Sequence, residues 1–361
     1  MTDVFDWYEE YRDKIYEDDR YTHRHVQMLD FFDDSMIDED DLRHNIACLR
    51  KARRLSVALG EDLFTLWCDA FLGGELHSLG EYKKSREVLA DAVLRARKPI
   101  YANTPQQLIV HVYLATSFVM TDPIGFEKEI RELCQFVSKN KGECWEHESR
   151  ALELIAFLEV ERRDQKAAEA ATEKLQEHVS VYFESGRHWL LSYNQAKVAM
   201  RNKDWDATIR YSDEGMLDPD LCNEPKKSFH FLRACALAAL GDKKSAKSLF
   251  RKGTNIRRDI PDADDYMFCA IYWIILGEPQ TAIDLRISEL KELKSKGRHW
   301  EQYKATVHLA QLYEAIGDTR NMNRWKRAVE KCLTNFRNPK AILAIDLHRE
   351  FTLITSEFLR S

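Results

Sequence analysis

Apolar residues along this chain recur at three- and four-residue spacing, the pattern of helices that bury one face. Seven times a short polar turn ending in an acidic residue closes one such segment and opens the next, at Glu81, Asp122, Asp164, Asp204, Asp242, Glu278 and Asp318. The intervals are 41, 42, 40, 38, 36 and 40 residues. A period of that length marks stacked helical units, none of which can bury its apolar face alone. Such an array offers one long surface in place of a central pocket, and that tilts the functional reading toward binding.

The unit around Asp204 is the clearest. Tyr193-Asn194-Gln195-Ala196 begins the apolar face of a first helix, and Asn202-Lys203-Asp204-Trp205 forms the turn. Asp204 is placed to cap the second helix by accepting from its orphan N–H groups, and Asp218-Pro219 ends it, because proline cannot continue a helix. Eight residues before the acids stand Gly73, Leu114, Ala156, Ala196, Ala234, Ala270 and Ala310. Four residues after them stand Ser85, Phe126, Ala168, Thr208, Ala246, Ala282 and Met322. Small residues at these two points let two helix axes approach closely. The placement resembles the tetratricopeptide repeat, in a variant with a longer period than usual; HEAT and armadillo arrays share the period but do not require small residues there. The resemblance implies an all-α, right-handed superhelical solenoid of about seven to eight helical hairpins. The repeat at 104–140 is the irregular one, with the turn Thr121-Asp122-Pro123-Ile124-Gly125.

A second recurrence reinforces the period: Gly186-Arg187-His188-Trp189 returns as Gly297-Arg298-His299-Trp300. Its glycines suit a left-handed helix C-cap, and its histidines read as structural. Before the array, residues 3–17, 21–35 and 39–58 read as helices, the first with Phe5, Trp7, Tyr8, Tyr11 and Ile15 at helical spacing. After it, Asn338-Pro339 starts a last helix carrying Ile342, Leu343, Ile345, Leu347, Phe351, Leu353, Ile354, Phe358 and Leu359, expected to cap the array or, alternatively, to form a homodimer contact. The expected organisation is therefore an N-terminal helical segment at 1–58, a repeat array at 59–336 and a C-terminal capping helix at 337–361.

Charge sharpens this division. The chain carries a net −6, yet residues 1–40 hold 14 acids against 4 basic groups, while Lys243 to Arg258 holds seven Lys or Arg and no acid. The basic run falls on a second helix, which in the resembled family forms the outer wall, and no aromatic platform is interleaved with it, so nucleic acid is disfavoured as a partner. Eight cysteines without C-x-x-C spacing read as reduced thiols of an intracellular, cytoplasmic protein. No apolar stretch reaches the length of a membrane span. There is no nucleophile elbow, phosphate-binding glycine loop or zinc-ligand spacing. His23-Arg24-His25, near Asp30, Asp33 and Asp34, reads as a charged helix face. No enzyme activity, cofactor or metal is expected.

In the resembled family the first helices line a groove that takes a peptide. The positions this assigns are Tyr193, Lys197, Arg201, Phe231, Cys235, Met267, Ile271, Val307 and Gln311. The subclass that clamps a terminal carboxylate with Lys and Asn is excluded, because the equivalent pairs here are Tyr193 with Lys197 and Phe231 with Cys235. The leading expectation is a scaffold that binds a protein or peptide segment. The alternative is a peptide-sensing switch, since length and the extra N-terminal helices resemble the bacterial Rap-type peptide receptors.

Overall fold

The computed structural model describes residues 4–37, 41–102, 104–140, 145–182, 189–218, 221, 223–256, 263–295, 298–345 and 358. Among these the regular structure is helical throughout. Three helices, α1 (Val4–Glu17), α2 (His23–Asp34) and α3 (Leu42–Leu59), precede the repeats. The repeats are α4 (Asp62–Ser78) with α5 (Tyr82–Ala96), α6 (Pro105–Thr121) with α7 (Glu127–Asn140), α8 (Trp145–Arg162) with α9 (Gln165–Tyr182), and α10 (Trp189–Arg201) with α11 (Trp205–Gly215). They continue as α12 (Asn223–Ala239) with α13 (Lys243–Asn255), α14 (Ala263–Ile275) with α15 (Pro279–Ser295), and α16 (His299–Ala315) with α17 (Thr319–Leu333). A short α18 (Pro339–Ala344) follows. The hydrophobic remainder of the expected C-terminal helix, Leu347 to Ile354 and Leu359, lies outside the described residues, as do Gly186-Arg187-His188, Gly297, Arg257 and Arg258.

One turn, repeated, builds the hairpins. The N–H groups of Glu81, Asp204, Asp242, Glu278 and Asp318 reach back to the carbonyls of Leu76, Ala199, Leu237, Trp273 and Tyr313 at 2.8–2.9 Å. That six-residue closure is the Schellman ending of a helix, and it needs a left-handed residue just before the acid. Gly80, Gly241, Gly277 and Gly317 supply it with φ between 77° and 90°, and Lys203 (57°) and Arg163 (64°) adopt it despite their side chains. The acid then works from its other end. The carboxylates of Asp164, Asp204, Asp242 and Asp318 accept from the N–H three residues on, at 2.9–3.0 Å, and open the second helix. A single residue therefore closes one helix and starts the next.

The irregular turn has its own mechanism. Asp122 closes α6, but residues 122–126 intervene before α7, and Asp122 Oδ1 accepts from Gly125 N at 2.8 Å. Phe126, standing where other repeats have a small residue, stacks on Phe118 with centroids 4.3 Å apart. The hairpin still packs, with a longer turn.

The small-residue positions sit where the paired helices touch. Ala156, Ala196, Ala234, Ala270, Ala246 and Ala282 are wholly buried. At the α4–α5 crossing a Cβ on Gly73 would come within 2.4 Å of Leu89, and Ser85 Oγ donates to the Gly73 carbonyl at 2.7 Å. The α2–α3 pair packs like the later hairpins, so the described residues hold one more helical pair than the seven acids mark.

The chain divides into two compact units, Met1–Ile155 and Ala156–Ser361. Unit 1 is centred on aromatic packing. Tyr8 of α1, Phe32 of α2 and Phe64 and Trp67 of α4 are buried, with Tyr8–Phe32 at 5.0 Å, Phe32–Phe64 at 5.5 Å and Trp7–Trp67 at 5.7 Å. The apolar stripe read on the first helix thus packs on α2 and α4, and Tyr8 OH donates to Asp33. His25, expected on a charged helix face, is instead buried and caps its own helix by accepting from Thr22 N at 3.0 Å. Asp69, wholly buried on α4, is gripped by Arg53 of α3 and Arg95 of α5, tying two hairpins together.

Candidate functional site

Neighbouring first helices of unit 2 pack together, α10 on α12 and α12 on α14, and polar side chains stand buried among their apolar ones. On α10, Tyr193, Lys197 and Arg201 follow one another at one-turn spacing, so they line one edge. Tyr193 packs edge-on against Phe229 of α12 and Phe268 of α14, at 5.9 and 6.4 Å. Lys197 is 3 % exposed, and its ammonium lies over the rings of Phe157 on α8 (5.4 Å) and Tyr193 (5.3 Å), a cation–π enclosure. Arg201 Nη1 donates at 2.9 Å to the Val160 carbonyl in the last turn of α8, which also accepts from Arg163 N at 3.3 Å.

Between Tyr193 and Lys197 stands Asn194, wholly buried, with neither Nδ2 nor Oδ1 hydrogen-bonded. A buried amide in that state costs about 1–3 kcal/mol for each unsatisfied group. Asn194 is not among the expected groove positions, and in the run Ser192-Tyr193-Asn194-Gln195 nothing in the sequence sets it apart from its polar neighbours.

The remaining expected groove residues divide in two. Phe231 lies at 1 % exposure against Phe250 and Gly253 of α13, Cys235 donates its S–H to the Phe268 carbonyl at 3.2 Å, and Ile271 belongs to the same buried cluster. Val307 is wholly buried on α16, whereas Met267 is half-buried against the cluster and Gln311 is 8 % exposed. The register placed all of them on first helices, and all are there. Tyr193 and Lys197 are buried like most of the others, and Tyr193 shares one core cluster with Phe231, Cys235 and Ile271, so side-chain chemistry and not burial sets Lys197 and Arg201 apart.

The face closes on itself. Glu161, in the last turn of α8, accepts from Trp300 Nε1 at 2.8 Å and pairs with Lys304 Nζ at 3.3 Å, both on α16. Beside this contact Arg286 of α15 pairs with Glu289 at 2.5 Å and donates to His308 Nδ1 at 2.8 Å, which makes His308 an acceptor at that nitrogen. Burial pushes the Glu289 carboxyl up to about 8, against the opposing pull of Arg286 and Lys304. Cys235 and Cys269 are likewise held as thiols by burial.

Other surfaces are plainer. A cleft of about 450 Å³ between α9 and the α10–α11 hairpin is bounded by Glu169, Glu173, Arg210 and Tyr211. Another, of about 820 Å³ in unit 1, has Arg50, Lys51 and Arg54 along α3 and Glu87 and Asp91 along α5. Lys243, Lys244, Lys247, Arg251 and Lys252 are all exposed on α13, a second helix. No group of side chains with metal-binding geometry occurs among the described residues, and none of the helices searched is long and apolar enough to cross a membrane.

These features define a tetratricopeptide-like helical-repeat protein. No protein-family model and no curated protein matches the chain. Among solved structures it is similar to the apo form of the quorum sensor NprR from B. thuringiensis, with a TM-score of 0.54 over 90 % of this chain and 92 % of that one, at 14 % identity. At that identity the likeness is one of fold.

Proposed function

We propose that this protein is a non-catalytic receptor for a protein or peptide segment, which lies along the first-helix face of unit 2. The observation that carries this reading is Asn194. A side-chain amide offers one acceptor and two donors, the complement of a peptide group, and the Asn194 amide is buried with both functions unmet. Lys197 and Arg201, one and two turns on, supply charge to fix register. Tyr193, Phe231, Cys235, Met267, Ile271, Val307 and Gln311 form the apolar and polar continuation of that face. The protein works in the cytoplasm, with residues 59–336 as the array, 1–58 as a segment leading into it and 337–361 as its cap.

A second reading, a switch whose N-terminal helices respond to the ligand, draws support from α1–α3 standing before the repeats and from the fold likeness to a quorum sensor. The test of the main reading is native mass spectrometry of the protein recovered from its own cells, beside Asn194→Ala. The expected result is a peptide-sized mass retained by the wild type and lost from the variant at unchanged helicity. Identical spectra, with or without a retained mass, would overturn it.

A further inference from the structure

Glu161 is an anomaly among its equivalents. Three residues before the turn acid, the later repeats carry Arg201, Ala239, Ile275 and Ala315. A carboxylate in the last turn of a helix faces the negative end of the helix dipole, so Glu161 is unfavourably placed with respect to α8. It serves α16, across 139 residues of chain, through Trp300 Nε1 at 2.8 Å and Lys304 Nζ at 3.3 Å. Glu161 and Trp300 are each 1 % exposed and Lys304 is 8 % exposed. Arg298, Glu301 and Glu289 lie close enough to belong to the same electrostatic neighbourhood.

A buried ion pair contributes little net stability, because desolvation of both groups offsets their attraction. A different carboxylate making the same two contacts would therefore exchange nearly like for like, and Glu161 would regain water at the end of its helix.

We infer that Trp300 and Lys304 form a carboxylate-recognition site, occupied in the closed form by Glu161, and that an acidic residue of the incoming segment displaces Glu161 and opens the face. This rests on the peptide-binding reading and names the ligand chemistry and the gate of that same site. A ligand that must first expel an internal competitor binds with its intrinsic affinity reduced by the closed fraction. Removing the competitor should therefore strengthen binding.

The experiment uses two fluorescein-labelled pools of amidated hexapeptides on the full chain, one pool with a single Asp or Glu per peptide and the other with Asn or Gln in its place. Fluorescence polarisation should show the acidic pool preferred by the wild type. Glu161→Gln should bind it about tenfold more tightly, and Lys304→Met in that background should lose the preference for acid while keeping residual binding. Amide exchange on the wild type provides a readout that needs no variant: the acidic pool should raise exchange at the end of α8 and the start of α16. Equal binding of the two pools would overturn the carboxylate site and leave the peptide reading standing. Binding of neither pool by wild type or Glu161→Gln, with α8 and α16 unchanged in exchange, would overturn both.

Discussion

The two units are built from the same hairpin and use burial differently. Unit 1 buries rings and clasps the wholly buried Asp69 between Arg53 and Arg95, with a further buried carboxylate, Glu153, paired to Arg150 at 2.8 Å. Its interior histidines are neutral: burial lowers His111 and His147 to about 4, and His111 lies flat on Phe136 with centroids 4.1 Å apart. Unit 2 buries charged side chains along its first helices, with Glu161 on Lys304 and Lys197 among rings, and beside them Arg286 with Glu289 on the second helix α15; a wholly buried, unmet amide occurs in both units, Gln106 in unit 1 and Asn194 in unit 2. The repeat supplies the same turns and crossings to both units. What differs is the set of side chains enclosed: stacked rings dominate unit 1, and unit 2 adds long-range pairs such as Glu161 with Lys304, along the face where we propose the ligand lies.

That contrast can be broken most forcefully at Phe231. Phe231→Asp puts a charge into the α12–α13 contact beside Phe250 and should cost about 5 kcal/mol. Circular dichroism should show unit 2 helicity lost while amide protection in unit 1 persists; loss of both together would mean that the units do not fold separately. Asp69→Ala should do the converse. It strands Arg53 and Arg95, which are about a third exposed, and should cost unit 1 about 3 kcal/mol in chemical denaturation.

Acidity should move the units in opposite directions. His111 and His147 have folded values near 4 against an ordinary 6.5, so below 6.5 the unfolded chain takes up protons that the folded one refuses. Their contribution is full above pH 6.5 and is lost as pH falls toward 4. Glu289, held up to about 8 from an ordinary 4.5, has the other sign. Here the folded state keeps the proton that the unfolded state releases, so its contribution is full below 4.5 and declines as pH rises to about 8. Site-resolved amide exchange between pH 4.5 and 8 should show protection rising in unit 1 and falling in unit 2; parallel slopes would remove the distinction. The smallest effect concerns the shared turn. Gly241→Ala should cost about 1 kcal/mol, because φ is 90° and only the backbone resists, with nothing within 4 Å of the new methyl. Lys203→Ala should cost far less, since Lys203 already bears that penalty at φ 57°.

The turns were legible because their code is local. An acid whose N–H ends one helix and whose carboxylate starts the next, preceded by a residue with positive φ, is written within a few positions, and so are crossings such as Gly73 on Leu89. The 104–140 irregularity was also visible, in Phe126 and the Asp122-Pro123 turn. Burial around each first helix was harder to read. Phe231 and Ile271 stand at groove register, yet their rings and methyls meet neighbouring helices, and a repeat period cannot distinguish those sides when every side is apolar. The Glu161 contact with Trp300 spans 139 residues, beyond any pattern that spacing can carry. Asn194 gave no signal of its own, standing between Ser192 and the adjacent amide Gln195.

The most direct measurement is site-resolved hydrogen exchange of the wild type and Asn194→Ala, with and without the acidic hexapeptide pool. The account predicts ligand-dependent protection around Asn194 and Lys197 on α10, loosening at the Glu161–Trp300 contact, and neither change in the variant. Ligand-dependent changes confined to unit 1, or identical responses in the two proteins, would contradict it.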